Sequence, residues 1–275
     1  MRIKCEICPH HCEIAEGHTG LCRARSNQNG RIVCANYGKI TSIALDPIEK
    51  KPLYRFMPGG WILSVGSYGC NLRCPFCQNC EISMASDKTI DTLPVTPEAL
   101  VQKAVDTTAK GNIGLAYTYN EPLIGYEFVY DCAKLIREKG LKNVVVTNGY
   151  ICEEPLIKLL PLIDAMNIDL KAFTDTFYKK ISGGLDTVKR TIELSAKTCH
   201  VEVTTLIIPG ENDSEEEIAS LSEWLSGISS EIPLHISRFF PHYRYLDRQP
   251  TPVEKVYRLA EVARRSLKYV YTGNC

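Results

Sequence analysis

Three features of the sequence predict an α/β fold. They point to a partial (β/α)6 TIM-like barrel, a parallel sheet with outer helices, preceded by a small Cys-rich segment. First, from Trp61 onward, short apolar runs and helical stretches alternate about six times, the pattern of parallel strands joined by crossover helices. Six units are fewer than the eight of a closed barrel, so an open one is expected. Second, many of the thirteen cysteines sit in two tight groups, Cys5 to Cys22 and Cys70 to Cys80. A disulfide scaffold would spread them through the chain, so these look like metal sites set on a scaffold. Third, residues 1–35 are rich in Cys, His and Gly and poor in apolar runs. Such a segment needs a bound metal, or docking on the main body, to become ordered.

The domain reading is therefore residues 1–35 as the Cys-rich segment, 36–60 as a β lead-in with turns at Asp46-Pro47 and Pro58-Gly59-Gly60, and 61–275 as the barrel. Within the barrel, WILSV (61–65) is the first strand. Thr96-Pro97 opens a helix, with a hydroxyl at the cap and proline at the first helical position, and it runs to about Lys110 and stops at Gly111. Strand 113–117 follows, then a helix from Pro122 to Lys139 closed by Gly140, and strand 144–147. A shorter helix at 153–160 leads to strand 165–170, helix 185–198 and strand 201–208. Ser214 and Glu217 are spaced as a capping box for a helix reaching about Leu225. Strand 233–237, helix 252–267 and a short strand 269–273 complete the pattern.

Composition excludes several functions. The 32 basic and 32 acidic side chains cancel, which argues against a nucleic-acid partner or a polybasic membrane binder. No stretch approaches the roughly 18 apolar residues of a membrane span. The start, MRIKCEICPHHC, has no apolar signal region, so a cytoplasmic, reducing setting is expected.

The most informative motif is Cys70-Asn71-Leu72-Arg73-Cys74-Pro75-Phe76-Cys77, a C-x3-C-x2-C pattern directly after the first barrel strand. In parallel α/β folds, chemistry gathers at strand C-termini. A [4Fe–4S] cube normally takes four thiolates, so three leave one iron open to a substrate. S-adenosylmethionine (SAM) can fill that place through its amino and carboxylate groups. An electron from the reduced cluster then cleaves the sulfonium bond, giving methionine and a 5′-deoxyadenosyl radical. A zinc site would want a fourth ligand, and Cys80 is at hand. Cys80 as a ligand would close the open iron.

The spacing resembles the radical S-adenosylmethionine superfamily. GSYGCNLRCPFCQN resembles its pyruvate formate-lyase activating branch. CEICPHHCEIAEGHTGLCRAR, DPIEKKPLYRFMPG, YTYNEP, TNGYI, NIDLKAF, TLIIPGENDS and HISRFFPHYR are similar to the AmmeMemoRadiSam radical enzymes, in order along nearly the whole chain. The resemblance implies cluster ligation by Cys70, Cys74 and Cys77, and a cofactor site drawn from Phe76, Asn120, Glu121, Thr147, Asn148, Asp169, Lys171 and His242. In it, Phe76 flanks the adenine, Glu121 meets the SAM amino group, and Asp169 with Lys171 lies beside the methionine end. The alternatives are plain packing for Phe76, a solvent-facing loop for Glu121, and a structural ion pair for Asp169 and Lys171. The chain departs from the family in lacking the glycines usual before Glu121-Pro122, the Asp usual at Val146, and an arginine near Thr204. His235, Arg238 and His242 are placed near the expected substrate mouth. Tyr117, Tyr119, Tyr126 and Tyr130 read as packing.

Cys5, Cys8, Cys12 and Cys22 form a second candidate metal set, for structural zinc or for a closed auxiliary iron–sulfur cluster, with His10, His11 and His18 as alternative ligands. The resemblance further implies a low-potential electron donor of flavodoxin or ferredoxin type. It implies a small-molecule or protein substrate, such as a glycyl-radical enzyme, and companion proteins. The competing readings are a zinc-binding adaptor and a non-radical electron-transfer protein.

Overall fold

The apolar runs become the strands of one sheet. In the computed structural model, which describes residues 1–275, this sheet has eight strands. They are β1 (Ser42–Pro47), β2 (Trp61–Gly66), β3 (Asn112–Tyr117), β4 (Lys142–Thr147), β5 (Ala165–Asp169), β6 (His200–Ile207), β7 (Leu234–Arg238) and β8 (Val270–Gly273). Strands β2 to β8 run parallel in sequence order. Only β1 is antiparallel, pairing with β2 from Ser42 opposite Gly66 to Pro47 opposite Trp61. Strands β1 and β8 are the two sheet edges and do not pair, so the barrel is open. The lead-in thus contributes an edge strand to the main sheet.

Local signals place most of the helices. The Thr96 hydroxyl accepts the Ala99 N–H at 3.2 Å and starts Pro97–Asp106. A 3-10 turn continues it to Lys110, and Gly111, at φ 85°, ends it in a conformation that favours glycine. The next helix opens with a 3-10 turn at Pro122–Gly125 and continues as Tyr126–Glu138. Glu153–Leu159, Leu185–Ser195, Glu215–Ile228 and Val253–Ala263 follow at the expected places. Short helices at Cys80–Ser83 and Asp175–Lys180 were not expected from the sequence. The Ser214 hydroxyl accepts the Glu217 N–H at 3.1 Å, as read. The Glu217 carboxylate does not return the bond. It accepts the Phe173 N–H at 2.6 Å, because the chain leaving β5 brings that donor against it.

The N-terminal ends of the strands are closed by residues 48–60. The Pro52 carbonyl accepts Asn167 Nδ2 at 2.8 Å. Glu202, near the start of β6, is fully buried. It accepts the Tyr54 and Arg55 N–H groups at 3.0 and 2.7 Å, and the His200 and His235 rings at 2.9 and 2.6 Å. His235 therefore sits at the closed end of the barrel, not at the mouth where the sequence placed it. Its position early in β7 puts it on Glu202, and Tyr54 packs edge-on against its ring at 4.8 Å.

Residues 1–35 form two small hairpins, Arg2–Lys4 with Glu13–Ala15 and Arg25–Gln28 with Arg31–Cys34. They dock on the main body through an Arg25–Glu127 ion pair and through Cys152 N–H donating to the Ile7 carbonyl at 3.0 Å. No helix is long and apolar enough to cross a membrane.

Burial would raise the Glu202 carboxyl, but its four donors overcome this and hold it at about 2. Glu202→Gln should lower unfolding free energy by about 3 kcal/mol at pH 7 in urea titrations. Because the folded value lies below the ordinary 4.5, the wild-type advantage is full above that pH and fades as pH falls toward 2. A difference that persists at pH 2 would assign the loss to packing instead.

Candidate active site

The C-terminal strand ends open on a cavity of about 350 Å³, lined by Cys70, Cys74 and Cys77 together with Glu121, Asp169 and Lys171. The loop that follows β2 carries the three thiols, and the ends of β3 and β4 hold it in shape. Asn120 accepts the Ser67 N–H at 3.0 Å and donates to the Gly69 carbonyl at 3.1 Å. Asn71 donates to the Tyr150 carbonyl at 2.7 Å and accepts from Asn148 at 2.9 Å. The Cys70 sulfur receives the Leu72 N–H at 3.3 Å and Asn148 Nδ2 at 3.6 Å. Asn120 and Asn148, read from the sequence as cofactor contacts, therefore both line the cavity and brace the cysteine loop.

All three thiols are free. Burial, with Glu121 and Cys74 nearby, pushes Cys70 well up, and burial raises Cys74 to about 12 against the pull of Lys171. Desolvated sulfurs at Cys70 and Cys74, with the Cys77 sulfur close enough to repel both, suit a cationic metal group, which removes thiol protons. The sulfur of Cys80 lies 3.8 Å from His242 Nε2, and neither residue lines the cavity. Sequence reading placed His242 among the cofactor contacts; in the structure its recorded partner is Cys80.

Residues 64–222 match the family model described as the radical SAM superfamily. The chain belongs to the radical SAM superfamily. An uncharacterized protein of Methanocaldococcus jannaschii is 44% identical over 99% of this chain and 81% of its own length. The pyruvate formate-lyase-activating enzyme of Clostridium pasteurianum is 29% identical over 58% of this chain and 67% of its own. A solved domain of the pyruvate-formate lyase-activating enzyme from Bacteroides vulgatus superposes with a TM-score of 0.51 at 20% identity, covering 58% of this chain and 99% of that one, which shows a common fold.

Membership of the radical SAM superfamily implies a [4Fe–4S] cluster and SAM, and the donor set fits both. Three thiols face one cavity with no fourth sulfur among its lining residues. Phe76 is buried in the same wall, its ring 6.0 Å from Phe177 and 6.1 Å from Tyr245. Asp169 Oδ2 and Lys171 Nζ pair at 2.6 Å across the end of β5. Burial works against charge on Lys171, but Asp169 and the thiols Cys74 and Cys77 outweigh it and raise its pKa. Thr204 lines the cavity and donates to Asn167 at 3.0 Å.

Sequence reasoning missed part of this wall. Lys50 and Lys51 line it, and Lys51 is buried on Asp46 at 2.8 Å. Burial would raise the Asp46 carboxyl, but bonds from Lys51 and from the Tyr119 hydroxyl at 2.7 Å hold it at about 2. The only sequence signal was the Lys-Lys of DPIEKK, which by itself reads as a solvated pair. Ser237 and Asn274, on β7 and just after β8, also line the cavity.

Glu121 is not a solvent-facing loop residue. It is 3% exposed and accepts the Thr147 hydroxyl and the Asn148 N–H, each at 2.8 Å, and the Leu123 N–H at 3.0 Å. Burial dominates these bonds and lifts its carboxyl to about 7. Below the ordinary value of 4.5 it is neutral folded or unfolded; as pH rises through 7 the folded protein must ionise it in place. The ligand-free protein should therefore lose up to about 3 kcal/mol between pH 4.5 and 8 from this one group. Glu121→Gln should abolish that decline in urea melts. Parallel pH slopes for the two proteins would mean that burial does not control this carboxyl.

Proposed function

We propose that this protein reductively cleaves SAM at a [4Fe–4S] cluster held by Cys70, Cys74 and Cys77, and that the product radical takes a hydrogen atom from a substrate at the cavity rim. One observation carries the reading. Three thiols line the cavity, while the nearby thiol of Cys80 lies outside its lining, on His242. That arrangement supports a cluster with one iron open. When bound, the reduced cluster and SAM supply methionine and a 5′-deoxyadenosyl radical.

The chain's own residues bind and orient. Asn120, Asn71 and Asn148 keep the cysteine loop in one shape, so the ligands need little rearrangement. The Glu121 carboxylate is the partner for the SAM ammonium, and ionisation near its raised pKa is favoured by that cation. The Asp169–Lys171 pair offers one group of each sign to the zwitterionic methionine end. Phe76 supplies an apolar wall for the adenine, and the Thr147 and Asn148 end of β4 lies where the ribose would pass.

The cavity, about 350 Å³, lies at the small end of ligand pockets. Cluster and SAM together would occupy it, so substrate reaches the reacting atom from the rim, near Ser237 and Asn274. This favours a substrate presented in part, such as a loop of a second protein, over one engulfed whole. A flavodoxin- or ferredoxin-type donor supplies the electron. The Clostridium pasteurianum relative, named for activating pyruvate formate-lyase, fits a protein substrate.

After anaerobic iron–sulfide reconstitution, with dithionite and SAM, the wild-type protein should release 5′-deoxyadenosine. Cys70→Ala, Cys74→Ala or Cys77→Ala should each reduce this at least about 100-fold, a barrier change of roughly 3 kcal/mol. Cys80→Ser should keep it within about twofold. If Cys80→Ser removes the activity as fully as Cys70→Ala, a fourth thiolate holds the cluster and the reading fails.

A further inference from the structure

The N-terminal cysteines have no role in that chemistry, yet four of them share one cavity. Cys5, Cys8, Cys12 and Cys22 line one small cavity of about 10 Å³, and all four are free thiols. Two loops bring them together. The first joins Arg2–Lys4 to Glu13–Ala15 and is closed by Cys5 N–H on the Cys12 carbonyl and His11 N–H on the Cys8 carbonyl, both at 3.0 Å. The second is the turn Gly20 to Arg23, closed by Arg23 N–H on the Gly20 carbonyl at 3.0 Å. Cys5, Cys8 and Cys22 are buried, while Cys12 is partly exposed. His10 lines the same cavity, with its Nε2 held 2.8 Å from the Asn71 carbonyl; His11 is on Glu6 at 3.0 Å, and His18 is on the Glu16 carbonyl at 2.9 Å.

A second, independent observation points to an anionic occupant. Arg25 lines the same cavity and is 5% exposed. Its terminal nitrogens bind Glu127, but its buried Nε has no hydrogen-bond partner. An orphaned donor on a buried charge is costly and calls for a group the protein itself does not provide. Four thiolates around a divalent ion, or around an oxidised iron–sulfur cube, carry a net dianionic charge that such a donor would face.

We propose that Cys5, Cys8, Cys12 and Cys22 hold a tetrathiolate metal centre whose negative charge is faced by Arg25 and which buttresses the Cys70–Cys77 loop. The contact is direct. His10, in the loop that carries Cys8 and Cys12, sets its Nε2 2.8 Å from the carbonyl of Asn71, the residue that Asn148 ties down beside Cys70. Arg73 donates to the Leu21 carbonyl, and a side chain at Gly69 would meet the Cys22 carbonyl at 2.4 Å. No three His, Cys, Asp or Glu side chains of the chain yet stand at the spacing of a single bound ion. Metal binding therefore has to shift the two loops, which couples it to ordering of a segment with little core of its own. The cavity is about the size of one water-sized sphere, so a single ion needs the smaller adjustment and a cube needs the loops to part.

The test removes the other metal site first. Cys70→Ala, Cys74→Ala and Cys77→Ala are combined in the full chain, which is supplied with zinc, then separately with iron and sulfide, under anaerobic conditions. The triple variant should retain about one zinc, or about four iron with the brown absorbance of a cube, per chain. X-ray absorption should show a sulfur-only shell, and adding Cys5→Ser and Cys8→Ser should release the metal. Zinc identifies a single-ion centre; iron identifies a cube. A triple variant that binds neither metal overturns the proposal, as does a shell containing nitrogen or oxygen ligands. Because the variant cannot hold the catalytic cluster, the result does not depend on whether SAM is cleaved.

Discussion

Everything in the active site follows from placing three sulfurs in a desolvated pocket at the end of a parallel strand. Buried thiols resist ionisation, as the raised values of Cys70 and Cys74 show. A metal group at these sulfurs would offset that cost, because it would replace their protons. Neighbouring groups act in the same direction. Lys171 lies close enough to pull the Cys74 thiol down, and amide donors from Leu72 and Asn148 point at the Cys70 sulfur.

The three asparagines Asn71, Asn120 and Asn148 are the mechanical counterpart of those sulfurs. A loop of thirteen residues between β2 and the short helix at Cys80–Ser83 has no ladder to satisfy its backbone. Side-chain amides brace it, Asn120 on its backbone and Asn148 on its Asn71 and Cys70 side chains, each amide donating on one side and accepting on the other. The amides come from the loop itself, from β3's end and from β4's end, so the loop shape depends on the sheet register. Glu121 joins the same framework, taking Thr147 and Asn148 at the end of β4. The Glu121 carboxylate is thereby held in one orientation.

The opposite end of the barrel uses the same currency of buried charge with a different outcome. Glu202 and Glu121 are both buried carboxylates. One has four donors that hold it near 2, and the other is lifted to about 7. The Glu202 cluster fastens residues 48–60 across the closed end. Its position shows why β1 and the segment after it belong to the barrel, since they seal it and carry Lys50 and Lys51 to the cavity wall.

The sequence alone determined the alternation of strands and helices, their order, and the cysteine pattern. Apolar runs, caps such as Thr96 and Ser214, and stops such as Gly111 are local, and each acts through neighbours a few residues away. The motif Cys70 to Cys77 was legible for the same reason, because its cysteines lie on one loop. What tertiary structure decided was which side chains face one another across distant segments. Asn71 meeting Asn148, Tyr119 on Asp46, His235 turned toward Glu202, and Glu217 taken by Phe173 all join residues far apart in the chain. Hydrogen bonds and ion pairs of this kind depend on the register and twist of the sheet, which no local spacing encodes.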